Sequence, residues 1–281
     1  MSARTGFTTA LLMIGLCASE AIHASGILSG HRMGVTHLMQ WELPKRLKEI
    51  SGLALSSDHR LYAHNDESAT IFELDYEHGK IVREFRIGKI KDDFEGIAVV
   101  NNYIYLLSSK GTLYKSPIGK NGERTNFQRF KTGLRKQCEF EGLTYRASTN
   151  SLLLLCKTPY KKKHKHQVQI YSWSLDSLSV TKKSTIRIDD RPILKKLHSK
   201  RIRPSGLTID NKTGNILLIA SEQKALIELD ATGNLVKVIK FPLPDQHRQP
   251  EGIALSENGK LFIADEGGKH KARLSIYSQK D

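Results

Sequence analysis

Five short segments of the sequence place an oxygen-bearing side chain directly before a glycine. If these side chains converge, three glutamates repel one another, so that either some carboxyls are protonated or a cation lies among them. Calcium takes hard oxygen ligands and tolerates irregular geometry, whereas this ligand set does not suit copper or structural zinc. The sequence therefore predicts a calcium site; the open alternative is that each glutamate clasps backbone N–H groups of the next repeat. The five residues are Ser51, Glu95, Glu141, Ser205 and Glu251.

Other catalytic signatures are missing from the sequence. It contains neither a His-Glu-x-x-His zinc motif nor a Gly-x-Ser-x-Gly nucleophile elbow, and it lacks the glycine patterns of P-loop and Rossmann proteins. A hydrolase of the lactonase or esterase type would therefore have to use a metal at the same five residues as a Lewis acid. Whether the protein is an enzyme is left open by the sequence.

The segments that carry these residues repeat along the chain. Positions 51, 95, 141, 205 and 251 are separated by 44, 46, 64 and 46 residues, and each is followed by an apolar strand, a polar turn and a second strand. Repeated four-strand units of this length predict an all-β, five-bladed β-propeller of antiparallel blades, with six blades as the alternative. In such a fold the inner strands line the central channel, which would bring the five oxygen-bearing residues to one mouth.

The end of the chain is too short for a complete fifth blade, because only 30 residues follow Glu251. We therefore predict that His37–Leu43 supplies the outer strand of the last blade and closes the ring without an open sheet edge. The long 64-residue interval predicts an insertion, in which Pro192–Lys200 forms a short helix or a loop.

Further acids follow the second strand of several repeats, at the same predicted mouth. Asp66, Glu222 and Glu266 could support a metal site as outer ligands. The alternative is that they are ordinary polar turn residues. His64 and Lys157 lie at corresponding positions, and a lone histidine at a strand end is more often structural.

The first 24 residues have the features of a secretory signal, with Arg4 before the apolar stretch Phe7–Ala18 and small residues up to Ala24. An uncleaved membrane anchor is the alternative. We expect a linker over 25–36 and a propeller domain over 37–281. Export predicts a periplasmic or membrane-anchored protein, and it leaves Cys138 and Cys156 as an even pair that a strand hairpin brings together as a disulfide or as two buried thiols.

The composition is that of a folded protein, with 39% hydrophobic and 26% charged residues, and it excludes a disordered chain. The net charge of +15 favours an anionic partner. Outside the cytoplasm this is a lipid headgroup or lipopolysaccharide, and nucleic acid is not expected; a partner protein is not identified. The candidate contact is a lysine tract, which could equally be a solvated loop, formed by Lys161, Lys162, Lys163 and Lys165.

Four motifs together resemble the SdiA-regulated, YjiK-like family of exported bacterial proteins. They are Cys138–Tyr145, Ser205-Gly206, Ala220–Leu226 and Gln249–Ala254. The resemblance implies a five-bladed propeller, an N-terminal export or membrane segment and a bound calcium ion, but no particular activity. The family is distantly similar to NHL-repeat propellers, some of which are metal-dependent enzymes. The combined expectation is an exported calcium-binding propeller that serves as a binding or scaffold module at the cell envelope.

Overall fold

Five antiparallel sheets surround a common axis in this computed structural model, which describes residues 26–31 and 38–279. The innermost strand of each sheet contacts the innermost strands of the two neighbouring sheets, and the last contacts the first. The ring is therefore closed, and the fold is the predicted five-bladed β-propeller. The residues of the predicted export segment, 1–24, lie outside the described residues.

The strands are numbered in chain order, beginning with β1 (Leu38–Glu42). Blade one contains β2 (Ile50–Leu55), β3 (Leu61–Asn65), β4 (Thr70–Asp75) and β5 (Lys80–Ile87). Blade two contains β6 (Phe94–Val100), β7 (Tyr103–Ser108), β8 (Thr112–Pro117) and β10 (Gln128–Lys131), and the short β9 (Arg124–Thr125) before β10 pairs with β5 of blade one.

Blade three contains β11 (Cys138–Arg146), β12 (Ser151–Pro159), β13 (Gln167–Ser174), β14 (Ser179–Val180) and β15 (Ile186–Asp189). Blade four contains β16 (Gly206–Ile209), β17 (Ile216–Ala220), β18 (Ala225–Leu229) and β19 (Leu235–Lys240). Blade five contains β20 (Pro250–Leu255), β21 (Leu261–Asp265) and β22 (Arg273–Tyr277).

The insertion predicted in the 64-residue interval belongs to blade three. It consists of β14, β15 and the helix α1 (Arg191–Leu197), which is the only α-helix among the described residues. The apolar side of α1, with Ile193, Leu194 and Leu197, is buried in the core between blades three and four. No helix in the described part of the chain has the length and apolar character needed to cross a bilayer.

The N-terminal strand closes the ring as predicted. β1 pairs antiparallel with β22, so that Met39 lies opposite Ile276 and Trp41 opposite Leu274. Its bounds fall within the predicted range His37–Leu43, of which His37 lies outside the described residues. The fourth strand of blade five therefore comes from the beginning of the chain.

Residues 26–31, which the sequence placed in a linker over 25–36, pack against blades four and five. The backbone N–H groups of Ile27 and Leu28 donate to the fully buried Glu228 carboxylate at 2.7 and 3.0 Å. The ring of His31 is buried and contacts the carbonyl oxygens of Ile27 and Gly259. Two apolar side chains and a buried acceptor thus hold this segment on the propeller.

The hydrophobic core is divided into five clusters, each of which fills the space between two neighbouring blades. Near the axis this space is narrow, and the repeated glycine allows it. A Cβ atom on Gly96 would lie 2.6 Å from the backbone nitrogen of Leu143 in the next blade. Gly206 likewise leaves only 2.4 Å between such a Cβ atom and the carbonyl oxygen of Glu251, so the close approach of adjacent inner strands requires glycine at both positions.

Candidate axial site

The oxygen-bearing residues reach the axis because they occupy β-bulges. In blade two, Phe94 lies opposite Ser108 and Gly96 lies opposite Leu107, so the ladder skips Glu95. A bulge leaves one residue unpaired and re-aims its side chain. The same shift occurs in the inner strands of blades one, three and five. The skipped residues are Ser51, Glu95, Glu141 and Glu251.

These four residues line a cavity of about 10 Å³ on the axis, together with glycines of the inner strands. This volume is close to that of a single water-sized particle. The Ser51 hydroxyl donates to the Glu95 carboxylate at 3.4 Å, and the Ser221 hydroxyl donates to the carboxylate of Glu251. The structure therefore brings four of the five predicted residues together as one axial ring, defined here as Ser51, Glu95, Glu141 and Glu251.

Ser205 serves a different purpose from the other four predicted residues. Its hydroxyl is buried and donates to the carbonyl oxygen of Pro250 at 2.8 Å. It thereby joins the inner strand of blade four to that of blade five. This bond between blades differs from the clasp offered as an alternative for the glutamates, because a hydroxyl donates to a carbonyl oxygen and no glutamate takes part.

The three glutamates of the axial ring are held in an environment that disfavours their charged forms. Burial raises the pKa of Glu95 to about 9, and the charge of Glu141 adds to the rise. Burial likewise raises the pKa of Glu251 to about 8. For Glu141 burial raises the pKa to about 7, and the neighbouring Lys157 limits the increase. At neutral pH the ring therefore holds protons unless a cation compensates the carboxylates.

One such cation is built into the chain, and the sequence reasoning missed its role. The Lys157 ammonium contacts the Glu141 carboxylate in a short ion pair. Burial acts against the charged ammonium, but Glu141 outweighs it, and the pKa of Lys157 is raised. Lys157 also occupies a bulge, because Glu139 lies opposite Thr158 and Phe140 lies opposite Cys156.

Cys138 and Cys156 form the predicted disulfide, with their Cα atoms 5.7 Å apart. The bond spans the bulge at Lys157, and the bulge at Glu141 follows directly after the pair of Phe140 and Cys156. Cys156 immediately precedes Lys157, and Cys138 lies three positions before Glu141. The disulfide therefore braces the hairpin end that carries the ion pair.

The acids predicted as outer ligands are distributed over two places. Burial raises the pKa of Glu266 to about 7, and a hydrogen bond with Glu49 contributes to the rise. Burial also raises the pKa of Asp66, with a contribution from Glu49. These two predicted residues thus meet at the junction of blades five and one. Glu222, in contrast, forms exposed ion pairs with Arg201 and Arg203, at 3.2 and 3.5 Å.

His64 is a buried residue of blade one whose ring lies over Gly52. Its Nδ1 atom contacts the carbonyl oxygen of Asn65 at 3.0 Å, and none of the described residues bonds its Nε2 atom. Burial lowers the pKa of His64 to about 4, so that the ring is neutral at pH 7. The residue is packed between blades one and two, which agrees with a structural role.

The fit of a metal ion to this site depends on donors and on space. Carboxylate and hydroxyl oxygens are suitable ligands for calcium, and a cation would offset the burial and repulsion that raise the pKa values of the ring glutamates. In the arrangement described, however, no group of three or more His, Cys, Asp or Glu residues is close enough to hold a metal. A cation would therefore require small side-chain movements and displacement of the Lys157 ammonium.

A larger cavity, of about 230 Å³, lies at the opposite mouth of the channel. Its walls come from the far ends of the inner strands, such as Ala54, Val99 and Ile209, and its rim carries Asn101 and Glu257. The ring glutamates do not line it. The two mouths thus differ in chemistry, since one is small and acidic and the other is wider and largely neutral.

The lysine tract lies on an exposed loop between β12 and β13. Lys162–His164 form a single 3₁₀ turn, and Lys161, Lys162, Lys163 and Lys165 are all exposed. The loop follows the end of β12 that carries Lys157, so it lies on the same face of the propeller as the axial ring.

A sequence model of the SdiA-regulated family matches residues 25–269. The chain belongs to the SdiA-regulated family. Among solved structures, it is similar to the glutaminyl cyclase of Myxococcus xanthus, with a TM-score of 0.60 and 16% identity over 86% of this chain and 96% of that chain. A luciferin-regenerating enzyme gives a TM-score of 0.50 and 12% identity over 86% of this chain and 95% of that chain. At such identities the likeness shows the propeller fold, and the activities named belong to those proteins.

Proposed function

We propose that this family member is an exported propeller that binds calcium at the axial ring and acts as a binding module of the cell envelope. One observation carries the proposal: the buried Glu141 and the half-buried Glu95 and Glu251 share a cavity of about 10 Å³ and have pKa values raised to about 7, 9 and 8. A divalent cation would compensate the carboxylate charges that burial and mutual repulsion now disfavour. Glu95, Glu141, Glu251 and Ser51 would hold the ion.

The Lys157 ammonium would compete with calcium for the carboxylates of the proposed site. Its ammonium already compensates Glu141, so calcium would have to replace a tethered cation as well as the protons of the ring. Calcium binding should therefore release protons and tighten as the pH rises. This makes the site adjustable by pH within the range of the raised pKa values.

The size of the cavity favours a binding module over a hydrolase. A metal-dependent lactonase or esterase needs room for its substrate next to the metal, whereas the ring encloses space for about one water-sized particle. The cavity of about 230 Å³ lies at the other mouth, away from the glutamates. The lysine tract on the ring-bearing face offers a contact for an anionic envelope component such as a lipid headgroup or lipopolysaccharide.

The proposed metal is tested by thermal unfolding with calcium and with chelator. A ligand that binds only the folded state raises the melting temperature by mass action. We expect calcium to raise the melting temperature, and Glu141→Gln and Glu251→Gln to abolish most of the shift. Glu257→Gln, an exposed acid at the opposite mouth, is the matched control. A melting temperature that does not respond to millimolar calcium would refute the metal and leave Lys157 as the cation of the ring.

A further inference from the structure

The topology of the blades sorts every connection onto one of two faces. Each inner strand starts at the axial ring and each second strand returns to it, so the loops between second and third strands lie on the ring-bearing face. The links from an outer strand to the next inner strand lie on the same face. The turns between first and second strands, and between third and fourth strands, lie on the opposite face.

The connections on the ring-bearing face carry several exposed cations that have no ion pair among the described residues. The links between blades carry Lys45 before blade one, Lys89 before blade two and Lys136 before blade three. The loops between second and third strands carry Lys110 in blade two and Lys269 in blade five. The lysine tract adds the contribution of blade three. These five lysines and the tract are here called the basic rim.

The carboxyl groups of the axial ring lie at the centre of this face. On the same outer connections, Glu67 and Asp93 are the exposed acids without an ion pair among the described residues. The opposite face is balanced, because its turns carry acids such as Glu77, Asp176 and Glu257 beside their lysines. Of the two faces, the ring-bearing one therefore carries the excess of exposed, unpaired positive charge, arranged as a rim around the carboxyl groups of the axis.

We propose that the basic rim docks the ring-bearing face flat on an anionic lipid bilayer. Cations spread over four of the five blades complement a charged plane, whereas a linear polyanion would be matched by a stripe or a groove. The proposal extends the function proposed above, because it assigns the partner to the whole face instead of the tract, and it does not depend on calcium being bound.

The test measures co-sedimentation of the purified protein with vesicles of phosphatidylcholine that contain phosphatidylglycerol. Three triple variants each remove three positive charges. The first changes Lys89, Lys110 and Lys136 to Gln, the second changes Lys161, Lys162 and Lys163 to Gln, and the control changes Lys80, Lys120 and Lys212 of the opposite face to Gln. Because each lysine near an anionic surface contributes several-fold to binding, both rim variants should bind at least about tenfold more weakly, and the control should stay within about twofold.

Four results would overturn the proposal. Equal losses in all three variants would mean that net charge alone drives binding. A loss confined to the second variant would restrict the contact to the lysine tract, which the function proposed above allows. Equal binding to vesicles of phosphatidylcholine alone, or binding to soluble dextran sulfate without binding to vesicles, would exclude an anionic bilayer. The calcium-dependent shift of the melting temperature is measured for every variant, so that failure of the axial metal is seen separately.

Discussion

Glu141 and Lys157 form an ion pair although the ladder between β11 and β12 skips both residues. Two bulges on adjacent strands turn the two side chains away from the blade and toward the axis. The Glu141 side chain is buried and 28% of the Lys157 side chain is exposed, so the pair lies at the boundary between the channel and solvent. The Lys157 ammonium thus occupies the position in which a bound cation would otherwise neutralise the carboxylates of the ring.

Replacing Lys157 with Met should have opposite effects on the free and the calcium-bound protein. Without a cation the buried Glu141 carboxylate loses its partner, and we expect the free energy of unfolding to fall by about 2 kcal/mol at pH 8. Calcium affinity should rise about tenfold, because the ion no longer displaces an ammonium group. Denaturant unfolding in chelator and a calcium titration measure the two effects, with Lys110→Met as the exposed control. Weaker calcium binding by the Met variant would show that Lys157 supports the metal.

The metal-free protein should lose stability as the pH rises from about 5 to about 9. The pKa of Glu95 is about 9 in the folded protein against 4.5 without the fold. Between these values the folded state keeps a proton that the unfolded chain has released. The stabilisation by this proton is therefore complete below the pKa of 4.5 and is lost as the pH approaches the folded-state pKa of about 9. Glu251, with a pKa of about 8, acts in the same direction.

Glu95→Gln tests this pH dependence directly. The amide cannot ionise, so in chelator at pH 9 the variant should be more stable than the parent by about 1 to 2 kcal/mol, which corresponds to a few degrees in melting temperature. At pH 5 the two proteins should melt alike. Melting curves between pH 5 and 9 measure the difference. Parallel curves at all pH values would mean that Glu95 is already ionised in the folded protein.

The repeat was sufficient to predict the blades, the closing strand and four residues of the axial ring, because the glycine and the residue before it recur wherever inner strands approach closely. Register shifts were not visible in the sequence. Without the register shifts, Lys157 could be predicted only as a polar residue at the end of a second strand. Its contact with Glu141 depends on a bulge in each of two strands. Ser205 also precedes the repeated glycine, as Ser51 does, yet its hydroxyl bonds to the carbonyl oxygen of Pro250 in the next blade, a contact that the sequence does not reveal.

The disulfide should stabilise the axial site as well as the fold. It closes a loop with a sequence separation of 18, and loops of this size are worth about 3 kcal/mol. Replacing Cys138 and Cys156 with Ser should lower the free energy of unfolding by about this amount. Because the bond braces the hairpin end that carries Glu141 and Lys157, the variant should also bind calcium less tightly. A stability loss with unchanged calcium binding would show that the bulges hold without the brace.

The N-terminal segments should be essential for closing the propeller. Deleting residues 25–45 removes β1, which is the outer strand of blade five, and the segment held by Glu228. We expect severe destabilisation, since blade five would expose the edge of β22 and the core between blades four and five would open. A deletion variant that melts normally would show that the three strands of blade five suffice.

Two point variants separate the contributions of these segments. Leu28 is 1% exposed in the core between blades four and five, and Leu28→Ala should lower the free energy of unfolding by about 2 to 3 kcal/mol. Met39, on β1, is 49% exposed, so Met39→Ala should change the free energy of unfolding by less than about 0.5 kcal/mol. Denaturant unfolding of both variants measures the difference. If Leu28→Ala is as mild as Met39→Ala, the segment 26–31 contributes little and β1 alone accounts for the effect of the deletion.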